Sequence, residues 1–348
     1  MIDRRKFMGA AAAASSTLLF PQKLFSETIA DNDFKILPKR IKKGDTIGLI
    51  APGYAVKPEV LENVIKTLEK IGLKPYHTSR IVGNHGYFSN TDEERAKDLN
   101  EMFANDKIDA ILCARGGYGC TRIMSKIDYN NIKNNPKVLI GFSDVTALLN
   151  GIYKETGLVT FHGPVGSTLD DSYSIEYLKN VVMKAKNKLL IENVDLDAKK
   201  KIDPEYERYT ITSGTAHGKI VGGSLTLINA LIGTPHELDF TNAIVCIEDV
   251  EEAPYRIDRM LTQLIEGKTF KNASGIAFGV CAGCNESTNP LSFSLKDVIL
   301  DRIKPLGIPA VYGMSFGHVE NNFTFPIGIK AQLNANQMTL QLLEKAVD

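Results

Sequence analysis

The sequence has no surplus of charge, no apolar run long enough to cross a bilayer, no second zinc-type cysteine pair and no internal repeat. Each absence closes a class of function. Lysine plus arginine and aspartate plus glutamate each total 41 in 348 residues, so nothing draws the chain as a whole toward nucleic acid or an anionic membrane. A small neutral or zwitterionic substrate is the more natural partner. The most apolar part of the N-terminus, residues 9–20, is alanine-rich and too short to span a membrane stably. Cys281-Ala282-Gly283-Cys284 has redox or metal spacing, but no second Cys-x-x-C completes a zinc site, and no metal or organic cofactor is expected. The cysteine count of five is odd, which argues against a disulfide-dependent fold. Cys281 and Cys284 read either as core or loop residues or as a local disulfide, and Cys113, Cys120 and Cys246 as small hydrophobes of strand-like runs.

What is present is an ordinary globular composition, 43% apolar and 24% charged, long enough for two domains that each bury a core. At the start, Asp3-Arg4-Arg5-Lys6-Phe7-Met8 precedes the alanine-rich stretch and looks like a twin-arginine export signal. Residues 1–30 are expected to be this signal, cut near Ala30, and residues 31–43 a polar leader. No cysteine lies near the cut, which argues against a lipoprotein anchor. The expected destination is the periplasm, with no stable membrane insertion after signal removal.

From residue 44 onward strands and helices alternate. Residues 45–52 read as a buried strand, Pro58 opens a helix that stops at Gly72, and Thr91 with Glu94 has the spacing of a capping box. Residues 108–114 form the next strand, followed by Arg115-Gly116-Gly117-Tyr118-Gly119 and a helix at 121–127. Residues 166–214 break any long periodicity and read as an interdomain connection with a helix near 175–185. Alternation resumes at Gly218 and runs through a strand ending at Glu248-Asp249, a helix from Pro254, a strand at 276–280, a helix at 294–303, a strand at 308–312 and a closing strand pair around Asn334-Ala335-Asn336. The expected organisation is an N-terminal domain at 44–165, the connection, and a C-terminal domain at 215–348. Alternating strands and helices imply a parallel, doubly covered sheet, whose ligands gather at the carboxyl ends of the strands.

The stretch that organises the first domain is Val138 to Leu149. An aliphatic run ends at Gly141, Ser143 follows two residues later, and Val145, Leu148, Leu149 and Ile152 then recur at helical spacing. This is strand, tight turn, helix, with a hydroxyl held at the sheet edge beside the positive end of a helix. The turn lacks the second glycine of G-x-S-x-G, and Ser-Asp also reads as a helix N-cap.

A serine nucleophile needs a base and an oxyanion site. Among six histidines, His318 lies just past the strand ending near Tyr312, where a site residue would sit. His77, His85, His162, His217 and His236 occupy other loops and strand ends. Glu248 ends an apolar strand, where an acid either caps the turn or faces a site. Ser, Glu, His is also the chain order of the α/β-hydrolase triad. Gly116 and Gly117 either form a plain βα turn or aim N–H groups at an oxyanion, with the Asp144 N–H as second donor.

Taken together, Gly48-Leu49-Ile50-Ala51-Pro52, Arg115 to Gly119, Gly141 to Leu148, Phe161-His162-Gly163-Pro164, Ile247 to Val250 with Tyr255 to Leu261, and Gly317 to Asn322 resemble the LD-carboxypeptidase family of serine peptidases. That family includes muramoyl-tetrapeptide carboxypeptidases and microcin C immunity peptidases. The resemblance implies two α/β domains, an N-terminal mostly parallel sheet of flavodoxin or class I amidotransferase type and a C-terminal α/β domain, with the active site between them. It implies Ser143 as nucleophile, Glu248 as the orienting acid, His318 as base, and Gly117 (or Gly116) with Asp144 as the oxyanion hole. The expected activity removes a terminal D-amino acid from a peptidoglycan stem tetrapeptide, and the expected partners are a small muropeptide and a second copy in a homodimer. Arg115 reads as a candidate for the substrate carboxylate or as an interdomain or surface ion pair. Two alternatives are a microcin-type peptidase of peptidyl nucleotides and a catalytically silent cell-wall peptide binder, the latter disfavoured by intact Ser143, Glu248 and His318. Where the family commonly has asparagine, this chain has Ser224.

Overall fold

A computed structural model describes residues 35–285 and 289–348. The expected export signal and the first four residues of the expected leader, 31–34, therefore lie outside the described residues. Residues 35–348 pack as one compact unit around a continuous apolar core that runs from Ile41 to Val347.

The first half supplies β1 (Thr46–Ile50), α1 (Pro58–Lys70), β2 (Lys74–Tyr76), α2 (Asp92–Ala104), β3 (Ala110–Cys113), α3 (Cys120–Ile123), α4 (Tyr129–Asn134), β4 (Val138–Gly141), α5 (Thr146–Thr156) and β5 (Thr160–His162). There follow α6 (Ser172–Val182), β6 (Leu189–Ile191), α7 (Ala198–Ile202), β7 (Tyr209–Thr212) and β8 (Thr215–Ser224). The chain continues with α8 (Leu225–Ala230), β9 (Ala243–Glu248), α9 (Pro254–Glu266), β10 (Gly275–Val280), α10 (Leu295–Ile303) and β11 (Ala310–Gly317). Three strands close it: β12 (Phe325–Ile327), β13 (Lys330–Asn334) and β14 (Thr339–Leu342).

The strands make two sheets. One has the order β12-β5-β4-β3-β1-β2, the other β6-β14-β13-β8-β9-β10-β11-β7. β1 to β5 are parallel, and so are β8 to β11, while the outer strands β7, β12, β13, β14 and β6 run antiparallel to their neighbours. β3, β4, β9 and β10 are buried along their whole length, as expected of parallel strands covered on both faces. β2 contains Pro75, which a sheet edge tolerates because one side of the strand needs no donor.

Local chemistry fixes the helices. α1 begins on Pro58 and buries Leu61, Val64 and Leu68 on one face. α2 is capped by Thr91, whose hydroxyl accepts the Glu94 N–H. α10 carries a full capping box between Ser294 and Asp297. The expected helix in the connection is α6, and the expected closing strand pair is β13 and β14. β12 falls within the expected C-terminal range yet pairs with β5 and completes the first sheet.

Candidate active site

β4 ends at Gly141, where a Cβ would lie 2.7 Å from Val145 Cγ1, so glycine lets the chain turn sharply into α5. At the turn Ser143 has φ 61°, a left-handed conformation that costs a non-glycine residue about 1 kcal/mol and persists only when its surroundings hold it. Gly116, at the end of β3, packs against it, since a Cβ there would stand 2.9 Å from Ser143 Cβ. The Asp144 side chain is buried and accepts the Cys120 N–H at 2.8 Å, tying the glycine loop to the serine turn. Burial raises the Asp144 carboxyl above its ordinary range, and the bonds from Cys120 and Gly119 oppose that.

The second sheet supplies the partners. Glu248 is the last residue of β9, fully buried, in register with Ser224 of β8. His318 follows Gly317, the last residue of β11. Gly317 has φ 111°, and a Cβ on it would come within 3.0 Å of Glu248 Oε2, so only glycine lets β11 turn against the acid.

Three side chains meet there. His318 Nε2 lies 2.9 Å from Ser143 Oγ, and His318 Nδ1 lies 2.7 Å from Glu248 Oε2. An ionised carboxylate only accepts, so Nδ1–H donates to Glu248 and Nε2 accepts the serine hydroxyl. Burial alone would raise the Glu248 carboxyl, but the His318 charge and hydrogen bond overcome it and hold Glu248 below its ordinary value. Burial likewise disfavours a charged His318, yet Glu248 outweighs it and lifts the imidazole above its ordinary 6.5, with Asp249 and Glu251 adding to the effect. Next to the triad, burial and the Glu248 charge push Asp249 up to about 6, and its carboxylate accepts from the Thr226 N–H and hydroxyl and from the Val250 N–H.

The sheets are tied together close to this point. Thr146, three residues after the serine, accepts the Ser224 N–H at 3.0 Å, and Ser224 is the register partner of Glu248. One turn on, Asn150 donates to Gly222 O at 2.8 Å and accepts from Gly222 N at 3.3 Å. Gly223 makes this approach possible, since a Cβ on it would lie 2.4 Å from Thr146 Oγ1. The Ser224 hydroxyl itself caps α8 by accepting the Leu227 N–H. Sequence reading missed Thr146 and Asn150 as a tie between the sheets; their one signal was a polar pair one turn apart among the apolar residues of the first two turns of α5.

Arg115 is exposed, donates to Ala55 O at 3.2 Å and lies over the Tyr54 ring, so its side chain does not join the three. Gly117 has φ 108° and packs beneath Tyr54. A cleft of about 1110 Å³ is lined by Glu251, Tyr255, Arg256, Asp258 and Phe293 among others, and by none of Ser143, Glu248 and His318. Glu251 has φ 53°. All five cysteines are buried free thiols, Cys281 and Cys284 included. Among the described residues no group of three or more His, Cys, Asp or Glu side chains is placed to hold a metal ion.

Comparison with known proteins gives the family and the fold. Residues 47–163 match the model of the LD-carboxypeptidase N-terminal domain, and residues 217–333 that of the C-terminal domain. The probable murein peptide carboxypeptidase of Bacillus subtilis is 39% identical over 87% of this chain and 92% of its own length. The crystal structure of an MccF-like protein from Bacillus anthracis superposes with a TM-score of 0.79 at 29% identity, covering 89% of this chain and 99% of that one. The muramoyltetrapeptide carboxypeptidase of Oxalobacter formigenes gives 0.72 at 25% identity over 85% and 97% of the two chains. The chain belongs to the LD-carboxypeptidase family and is a serine carboxypeptidase.

Proposed function

We propose that this protein is an exported LD-carboxypeptidase that releases the terminal D-amino acid of peptidoglycan stem tetrapeptides by Ser-His-Glu catalysis. The observation that carries the reading is the continuous path Ser143 Oγ, His318 Nε2, His318 Nδ1, Glu248 Oε2, with spacings of 2.9 and 2.7 Å. In this reading His318 takes the hydroxyl proton as Ser143 Oγ attacks the carbonyl carbon. The oxyanion is received by the Asp144 and Gly117 N–H groups. The imidazolium then protonates the leaving amine of the D-amino acid, and a water activated by the same histidine hydrolyses the acyl-serine. Glu248 keeps the Nδ1–H tautomer and offsets the charge formed on His318. The names of the relatives from Bacillus subtilis and Oxalobacter formigenes support a murein peptide as substrate.

A second reading keeps the triad but takes an aminoacyl nucleotide, supported by the likeness to the MccF-like protein of Bacillus anthracis. The two separate on substrate. Turnover of a diamino-acid tetrapeptide with release of free D-alanine supports the first, and turnover of an aminoacyl-sulfamoyl-adenylate without it supports the second. Export is tested by fusing residues 1–43 to a folded reporter: Arg4→Lys with Arg5→Lys should retain the reporter in the cytoplasm, and unchanged export would remove that part of the proposal.

A further inference from the structure

His162, in the Phe161-His162-Gly163-Pro164 segment, takes no part in the chemistry described so far. It ends β5, pairs in register with Gly141 of β4 on one side and Phe325 of β12 on the other, and has no exposed surface. Its ring lies flat on Phe325, with centroids 4.4 Å apart and planes 10° apart, and meets the edge of Phe316 at 6.0 Å and Phe142 at 5.9 Å. Phe142 is the residue before the nucleophile, and it packs on the His318 ring at 4.8 Å. Phe316 stands two residues before His318. The ring is thus boxed by the residues that flank the nucleophile and the base.

Within this box neither ring nitrogen of His162 has a hydrogen-bond partner in the protein. Leaving a buried donor or acceptor unpaired costs about 1–3 kcal/mol, so a phenylalanine of similar shape would be the cheaper occupant. The same neighbourhood holds one unpaired acceptor of full charge: Glu248 Oε1, the carboxylate oxygen that does not face His318, is buried and also without a partner. The charged groups that bear on His162 are Glu248 from β9 and His318 from the turn after β11. Burial, the largest effect, and His318 both disfavour its charged form, holding His162 neutral with a pKa of about 4. A neutral imidazole carries one N–H donor.

We propose that His162 is a positioning residue of the triad: its ring N–H, across one bridging water, supplies the hydrogen bond that Glu248 Oε1 lacks, fixing the carboxylate's rotation and so the aim of Oε2 at His318. The inference rests on the triad reading above and extends it by one residue. A neutral donor suits the task, since a charged one would repel the imidazolium formed on His318 at each turnover. In metal sites, hydrogen-bond partners behind the ligands change affinity or activity by about 10–100-fold when removed, and a loss of that order is expected for the carboxylate here.

His162→Phe keeps the stack on Phe325 and removes both nitrogens, while His162→Gln restores a donor. His162→Phe should lower kcat about 10–100-fold with KM changed less than about twofold, and should move the acid limb of the pH profile upward, because an undonated Glu248 holds the His318 proton more tightly. His162→Gln should recover most of kcat. Unchanged kcat and pH profile in folded His162→Phe, or a glutamine variant as impaired as the phenylalanine one, would overturn the proposal. Should neither variant fold, wild-type protein carrying nitrogen-15 histidine answers the question: Glu248→Gln should shift the His162 ring nitrogens, and unmoved resonances contradict the contact. Ser143→Ala serves as the separate control. If it stays active the triad reading itself fails, whereas an inactive Ser143→Ala beside a fully active His162→Phe rejects only the role of His162.

Discussion

Glu248 and His318 oppose each other's burial, and the pH dependence of the enzyme follows from that pair. In the proposed mechanism His318 acts as base only when neutral, and its proton is held above the ordinary 6.5 by Glu248. Activity should therefore rise with pH through a limb lying above 6.5. In Glu248→Gln the attraction is gone while burial remains, so the imidazole should fall below 6.5 and the limb should move to lower pH. That variant should also lose about 10³–10⁴ in kcat, since the amide no longer holds the required tautomer. NMR titration of His318 in both proteins reads the shift, and a limb that stays in place would contradict the pairing. In the sequence, position near strand ends made Ser143, Glu248 and His318 candidates only, since an acid or histidine there also reads as a cap or a structural residue, and it was the family resemblance that joined the three. The positive φ of Ser143 was not legible, because a strained conformation is imposed by neighbours such as Gly116 and leaves no mark on the residue itself. His162 was placed only within Phe161-His162-Gly163-Pro164 and given no role, and its ring is covered by Phe325, far along the chain.

At the scale of elements, the site is assembled by α5 and β8. The Ser224 N–H bonded to Thr146 fixes the start of α5, three residues after Ser143, against the strand next to Glu248. Thr146→Val keeps the shape, removes the acceptor and strands a buried N–H, which costs about 1–3 kcal/mol. The expected result is a lower Tm together with a loss of kcat larger than the change in KM, because Ser143 and Glu248 sit on opposite sides of that bond. Unaltered kinetics would assign the contact to stability alone. The long helices and central strands were readable from periodicity and caps. The three- and four-residue strands β2, β5, β6, β7 and β12 were mostly not, since so few residues carry no period and their pairing is decided by distant segments. β12 is the clearest case: Phe325–Ile327 closes the first sheet from the far end of the chain.

Across the whole molecule, the buried ionisable groups set how it responds to acid. His162 is neutral in the fold down to about pH 4, while an unfolded chain takes up that proton near 6.5. Between those values the unfolded state binds more protons, so stability is lost as pH falls, on the order of 3 kcal/mol from this residue. Glu248, held below its ordinary value, contributes stability that is present above 4.5 and lost as pH falls through its folded value. His318 has the opposite sign: its raised value stabilises the fold below 6.5, and that contribution fades as pH rises through the folded value. Asp249, raised to about 6, has the sign opposite to His162: the fold holds its proton below 6 and gains stability as pH falls toward 4, offsetting much of the His162 loss. The Tm of His162→Phe relative to the wild-type protein should therefore rise as pH falls from 6.5 toward 4, and a constant difference would remove the contribution of His162.

The central claim is that Ser143 is the nucleophile of a carboxypeptidase acting on stem tetrapeptides, and mass spectrometry of a defined tetrapeptide incubated with the protein and with Ser143→Ala tests it most directly. The account predicts that the wild-type protein converts the tetrapeptide to the tripeptide and free D-alanine while Ser143→Ala leaves it intact; the same tripeptide appearing at a similar rate with Ser143→Ala would contradict it.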